Sequence, residues 1–301
     1  MIRIVIDKDQ REKIENIYCH WINRHLKSFE RIVRDDKKLY NIIFDKDEYN
    51  EKTLLNFLLM DTESLKVVKE KCDVDNTISL KEETIDYLTK RYDNFRSSQA
   101  AKVVNELKIL SCPYCNQNGL ITYEKDGKRK FTGQLDHYYN KSNYPELMIC
   151  LYNLIPACSV CNELKARKNK KIINPYDVSY ETNITFKTTF DDKCKLDYLF
   201  GKSDDFKIEI DKNKLSNEEL NEINLFHLDK RYEQSKDYAK EIIFKSMSYS
   251  PIYNNKISEM FNENFEEEMD QYIYGYRDNH LKRSFSKFNQ DIMNEFKERK
   301  E

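Results

Sequence analysis

The chain has 301 residues, 35% of them Asp, Glu, Lys or Arg and 13% aromatic, with only five Gly, five Pro and a formal net charge of -2. This composition excludes a disordered or fibrous chain and favours a helical protein with a sizeable core, while the near-zero charge means that attraction to a polyanion has to come from a local patch. MIRIVIDKDQREK lacks the apolar core of a signal sequence and LLNFLLM is far too short to span a bilayer, so a cytoplasmic protein is expected.

Residues 10 to about 108 contain no Gly or Pro and space their apolar residues at helical intervals, as in SLKVVKEKC (64 to 72) and EETIDYLTKRYDNF (82 to 95). The pattern predicts a helical domain over 1–105. Between 106 and 176 Pro, Gly and Cys appear, and the β-like runs GLITYEK and KRKFTGQLDH flank DGK, a hairpin signal. NELKARKNKK then reads as a helix that stops before NPYD, because proline disfavours helix at the preceding residue. The third region, 177–301, begins with alternating runs (ITFKTTF, KLDYLF, FKIEID) that predict a small sheet between 184 and 211. Ser216 with Glu219 forms a capping box, and helical periodicity continues to the end. The expected class is mainly α with a small α+β insert.

Eight cysteines in a reducing compartment stay free thiols, so their spacing carries the information. Cys112 and Cys115 form CPYC, Cys158 and Cys161 form CSVC, and 42 residues separate the pairs. Chance supplies about 0.2 CxxC pairs at such a cysteine content. Two knuckles brought together make a four-thiolate tetrahedral site of the kind that holds structural Zn2+. Cys19, Cys72, Cys150 and Cys194 stand alone, as do His20, His25, His227 and His280.

Between the knuckles lie LDHYYNKS and YNLIPACSVCNELK: an Asp-His at a strand end, an Asn-Leu before the second CxxC, and Asn and Lys after it. This ordered set resembles the HNH endonucleases (ββα-metal, or His-Me finger, enzymes) of the zinc-knuckle type. INPYD and HLDKRYEQSKDYAKEI are further similar to the HNH nucleases of Septu-like and retron-associated antiphage systems. The resemblance implies His137 as general base, Asp136 and Asn162 as ligands of one catalytic Mg2+ or Mn2+, Asn153 as the residue that orients the loop, and Zn2+ on Cys112, Cys115, Cys158 and Cys161. It also implies DNA as substrate, RNA as the alternative, and an ATPase partner encoded nearby.

Each residue also has a plainer reading. Asn162 could cap a helix that starts at Glu163, Asn153 could be an ordinary loop residue, and Asp136 with His137 could be a solvated pair at a strand end. Residues 106–175 hold 11 Lys plus Arg against 6 Asp plus Glu, a local balance of +5 in a chain of net charge -2. Lys165, Arg167 and Lys168 follow the second knuckle as candidate phosphate contacts. A second function class fits the same residues: a zinc-stabilised nucleic-acid-binding or adaptor module without catalysis.

Overall fold

The described residues of the glycine-free first third fold into seven helices: α1 (Lys8–Asn23), α2 (Leu26–Asp35), α3 (Lys37–Phe44), α4 (Glu51–Leu58), α5 (Thr62–Val74), α6 (Glu82–Ser98) and α7 (Ala100–Leu107). The computed structural model describes all residues except 46–47, 75–78, 167, 169, 191–195, 250–255, 257–258, 261–265 and 299–301. Helix α1 starts with a reciprocal cap: Gln10 N donates to Asp7 Oδ1, and Asp7 N donates to Gln10 Oε1, so two otherwise unpaired amides are satisfied. Leu88, Tyr92 and Phe95 lie on one stripe of α6 at the helical interval and are buried, with Phe95 edge-on to Trp21 of α1. Trp21 Nε1 donates to Asn94 Oδ1 at 2.9 Å, which gives the buried indole its polar partner.

The chain then turns through the first knuckle into the hairpin β1 (Thr122–Lys125) and β2 (Lys128–Phe131). Asp126 and Gly127 make the turn with φ of 51° and 67°, the paired left-handed geometry that matches strand twist and that the DG dipeptide allows. The run KRKFTGQLDH does not continue as a single strand. It breaks after Phe131, and β3 (Gln134–His137) joins a separate antiparallel pair with β4 (Leu154–Ala157), in register Asp136 to Ile155 and His137 to Leu154. Two contacts with distant residues mark the break. Thr132 uses its hydroxyl to accept from Ile121 N, and Gly133 passes so close to β4 that a Cβ there would meet Ala157 O at 2.8 Å. We expect Gly133→Ala to cost about 1–3 kcal/mol, since backbone has to give way, read as a lowered midpoint in urea unfolding.

Helix α8 (Ser159–Lys165) follows β4 directly, so β3, its loop, β4 and α8 form a ββα unit. The helix is shorter than the sequence predicts. Continued to residue 171 it would set like charges at i,i+3 (Lys165 with Lys168, Lys168 with Lys171), whereas Asn140 Nδ2 takes the Ala166 carbonyl and ends it. The predicted small sheet forms as β5 (Phe186–Thr189) and β6 (Lys207–Ile210), but KLDYLF supplies a short 3-10 turn, Leu196–Phe200, in place of a strand. Side-chain carboxylates occupy the outer edges of this pair. Asp291 accepts from Phe186 N, Glu295 from Thr188 N and Glu233 from Ile208 N. A two-stranded ribbon is marginal alone, and these acceptors satisfy the amides that a third strand would otherwise take.

The remainder comprises α9 (Asn217–Phe226), capped by the expected Ser216–Glu219 box, α10 (Leu228–Glu233), α11 (Lys236–Ser248), α12 (Glu266–Tyr274) and α13 (Ser286–Glu298). Buried apolar residues from all three sequence regions form one continuous core, from Ile14 and Trp21 through Leu147 and Ile155 to Phe288 and Ile292. The architecture is helical with a small β insert. No helix among the described residues is long and apolar enough to cross a membrane.

Candidate active site and four-cysteine cluster

The two knuckles meet. The sulfurs of Cys112, Cys115, Cys158 and Cys161 all lie within 4.8 Å of one another, and all four residues are buried. Four thiolates around one ion at about 2.3 Å give tetrahedral edges of about 3.8 Å, and Cys115 Sγ to Cys158 Sγ is 4.0 Å. The cluster can therefore hold a metal such as zinc. Amide donors surround the sulfurs: Cys158 N to Cys112 Sγ at 3.4 Å, Cys161 N to Cys158 Sγ at 3.5 Å, and Asn118 Nδ2 to Cys158 Sγ at 3.2 Å. The four thiols share hydrogen bonds: the pKa values of Cys158 and Cys115 are lowered by their neighbours, while those of Cys112 and Cys161 are raised, so two of the four most readily take the thiolate form.

The C-terminal region closes the cluster. Arg231 of α10 places Nη1 3.5 Å from Cys161 Sγ, an offset for the negative charge that four thiolates and a divalent ion carry together. Tyr232 donates to Cys115 O at 2.7 Å. Asn116, held at φ 50°, donates to Ser111 Oγ and to the His280 and Arg283 carbonyls, while Leu110 N and Ser111 N both donate to Leu281 O. Sequence spacing had left His280 without a partner. Its carbonyl serves the knuckle and its ring faces Ser286. Cys194 lies outside the described residues.

Asp136 and His137 stand at the end of β3, both buried, and face different neighbours. His137 Nε2 is 3.0 Å from Met148 O. A carbonyl can only accept, so Nε2 carries the proton and Nδ1 holds the lone pair, free of any hydrogen bond among the described residues. The imidazole packs against Tyr92 of α6 at 4.6 Å, and burial lowers its pKa to about 3, so it is neutral near pH 7. The Asp136 carboxylate accepts from Tyr114 Oη at 2.6 Å and pairs with Lys165 Nζ at 2.9 Å. Burial pushes its pKa up, against the pull of Lys165 and Tyr114.

Asn153 is fully buried and holds the loop between β3 and β4. Its Nδ2 donates to Leu147 O at 2.9 Å and Tyr139 O at 3.2 Å, and its Oδ1 accepts from Tyr139 N at 2.7 Å. Leu147 precedes Met148, whose carbonyl fixes the imidazole, so the amide pins the turn that orients His137. Asn162 is an interior residue of α8 and not its cap, a role that Cys158 fills. Its Nδ2 donates to Gln134 Oε1, which leaves Oδ1 without a hydrogen bond among the described residues.

Asp136, His137 and Asn162 share the wall of a cleft of about 860 Å³. Among the described residues, nine Lys or Arg line it against a single carboxylate, Asp136. Lys69 and Arg96 come from the helical region, Arg129 and Lys130 from the β1–β2 hairpin, and Lys168 and Lys170 from beyond α8. Lys130, Lys168 and Lys170 have no ion-pair partner among the described residues. Lys165 differs from the expectation of a phosphate-contacting cation: it is buried, and its ammonium is taken by Asp136 and by the carbonyls of His137 and Tyr138. Arg167 lies outside the described residues.

Sequence reasoning missed Tyr92, Lys69 and Arg96, which reach the cleft from helices about 40 to 70 residues upstream and carry no local signal. It also missed Tyr114, although its place inside CPYC was a clue, since the knuckle that fixes the cysteines fixes the tyrosine with them. No family model, curated protein or solved structure matches the chain.

Proposed function

We propose that this chain is a metal-dependent HNH endonuclease that hydrolyses phosphodiester bonds in DNA. The observation that carries the reading is the single cleft in which a neutral imidazole with a free Nδ1, a carboxylate and an amide oxygen meet under a strongly cationic surface. Cleavage of a phosphodiester needs a base for the attacking water and positive charge near the departing oxygen. His137 Nδ1 accepts the proton from water, and the Met148 carbonyl steadies the imidazolium that results. Asp136 and Asn162 are the oxygen donors that would hold Mg2+ or Mn2+, a donor type these hard cations take, and such an ion would supply charge neutralisation at the phosphate. Lys130, Lys168 and Lys170 would bind phosphates without reading bases. The four cysteines would hold Zn2+, which scaffolds the hairpin and takes no part in the reaction.

The test is incubation of purified protein with plasmid DNA and Mg2+ or Mn2+, beside a chelator control. Metal-dependent nicking or linearisation supports the reading. Tight, salt-sensitive DNA binding with no cleavage under any divalent metal would establish the non-catalytic binding module in its place. The resemblance further motivates an antiphage role beside an ATPase, which co-expression and co-purification with the product of the adjacent gene would test.

A further inference from the structure

The ammonium of Lys165 sits among three oxygens: Asp136 Oδ2 at 2.9 Å, His137 O at 2.6 Å and Tyr138 O at 3.2 Å. A lysine has three N–H donors, and here each has an acceptor, so the side chain is fully committed. One carboxylate and two carbonyls are also the oxygen set that a hard divalent cation seeks. Both ends of the Lys165–Asp136 pair are nearly closed to solvent, with side-chain exposures of 9% and 6%, so water does little to screen one cation from another. Asp136 has little freedom to turn away, because Tyr114 Oη donates to the same Oδ2 at 2.6 Å and the Tyr114 ring is stacked on Phe226.

We propose that Lys165 is a resident cation in the divalent-metal position, so that Mg2+ or Mn2+ binds at Asp136 only by displacing the lysine ammonium. The inference rests on the proposed role of Asp136 as a metal ligand and adds a determinant of how tightly the metal binds. Two positive charges cannot share one buried carboxylate oxygen without strong repulsion. Metal affinity is therefore set in part by the difference between two occupants of the Asp136 carboxylate. The arrangement also gives Asp136 a partner in the resting protein, where a lone buried carboxylate would be costly. Lys165 is the last residue of α8 and lines the cleft, so the cleft is open to its side chain when it leaves. The displaced ammonium would then join the cations that face the phosphate backbone.

The experiment is calorimetric titration of Mn2+ into zinc-loaded protein, comparing wild type, Lys165→Gln, Asp136→Asn and the double variant. Gln keeps a donor for the His137 and Tyr138 carbonyls and removes the charge. The expected result is that Lys165→Gln binds Mn2+ at least tenfold more tightly than wild type, and that Asp136→Asn abolishes binding in both backgrounds. Equal or weaker Mn2+ binding by Lys165→Gln, with binding still dependent on Asp136, would overturn the competition while leaving the metal site intact. Loss of any Asp136 dependence would remove both the competition and the metal-ligand reading. Should the variant not fold, lysine-selective 15N labelling of the wild type decides the matter. A held ammonium gives a slowly exchanging Nζ signal that is lost on titration with Mg2+, and a signal that persists at saturating Mg2+ would refute displacement.

Discussion

Cys158→Ser, or removal of the metal by a strong chelator, is expected to unfold the ββα unit and leave most of the N-terminal helices in place. Structural Zn2+ contributes about 10–16 kcal/mol of apparent binding free energy in small zinc units, comparable with the whole stability of a domain at about 5–15 kcal/mol. Here the two sides of the cluster are the turn before β1 and the start of α8, with 42 residues between them, and beside the cluster the Tyr114–Asp136 hydrogen bond joins the first knuckle to β3. Cys158 is the most informative position, since its sulfur accepts from both Asn118 and Cys161 N. The measurement is hydrogen exchange by mass spectrometry with zinc content in parallel. Protection should be lost over residues 110–165 while α1 and α6 retain it. A metal-free protein with full protection across β3, β4 and α8 would show that the cluster is only a set of buried thiols.

His137→Ala is expected to lower DNA cleavage by about 10²-fold, the low end of the range a positioned general base contributes, because an imidazole with a pKa near 3 is a weak base at neutral pH. The His137 ring is buried against Tyr92, so the substitution also removes packing, and zinc content and circular dichroism have to match wild type before rates are compared. Cleavage by His137→Ala at the wild-type rate would exclude the imidazole as the base. The same burial has a consequence for stability. An imidazole with a folded pKa near 3 and an unfolded value near about 6.5 binds protons more readily in the unfolded chain. Its contribution is complete above about pH 6.5 and is lost progressively as pH falls toward 3. His137→Ala should therefore show a shallower decline in stability over that window than wild type.

The cysteine spacing was legible because a tetrahedral ligand set forces residue types and intervals into the sequence, and Asp136, His137 and Asn162 became legible from their place between and beside the knuckles. The DG turn and the Ser216–Glu219 cap were readable for a similar reason: each depends on a few adjacent residues. The break at Gly133 was not, because it is decided by the carbonyl of Ala157, a residue 24 positions later. The early end of α8 likewise depends on Asn140 from the preceding loop. Lys165 looked like its exposed neighbours in NELKARKNKK, and only the meeting of α8 with β3 distinguishes a buried lysine from a solvated one.

The closing of the knuckle by Leu281 has a consequence for the order in which the chain is made. Leu281 emerges 120 residues after Cys161, and at about 5–20 residues per second that delay is roughly 6–24 s. For this interval the knuckle exists without the Leu281 carbonyl that later takes the Leu110 and Ser111 amides. It is the period in which a metal ion has direct access to the thiols, and in which an oxidant has the same access. If the four thiols take up a metal during translation, that uptake would compete with their oxidation before this contact forms.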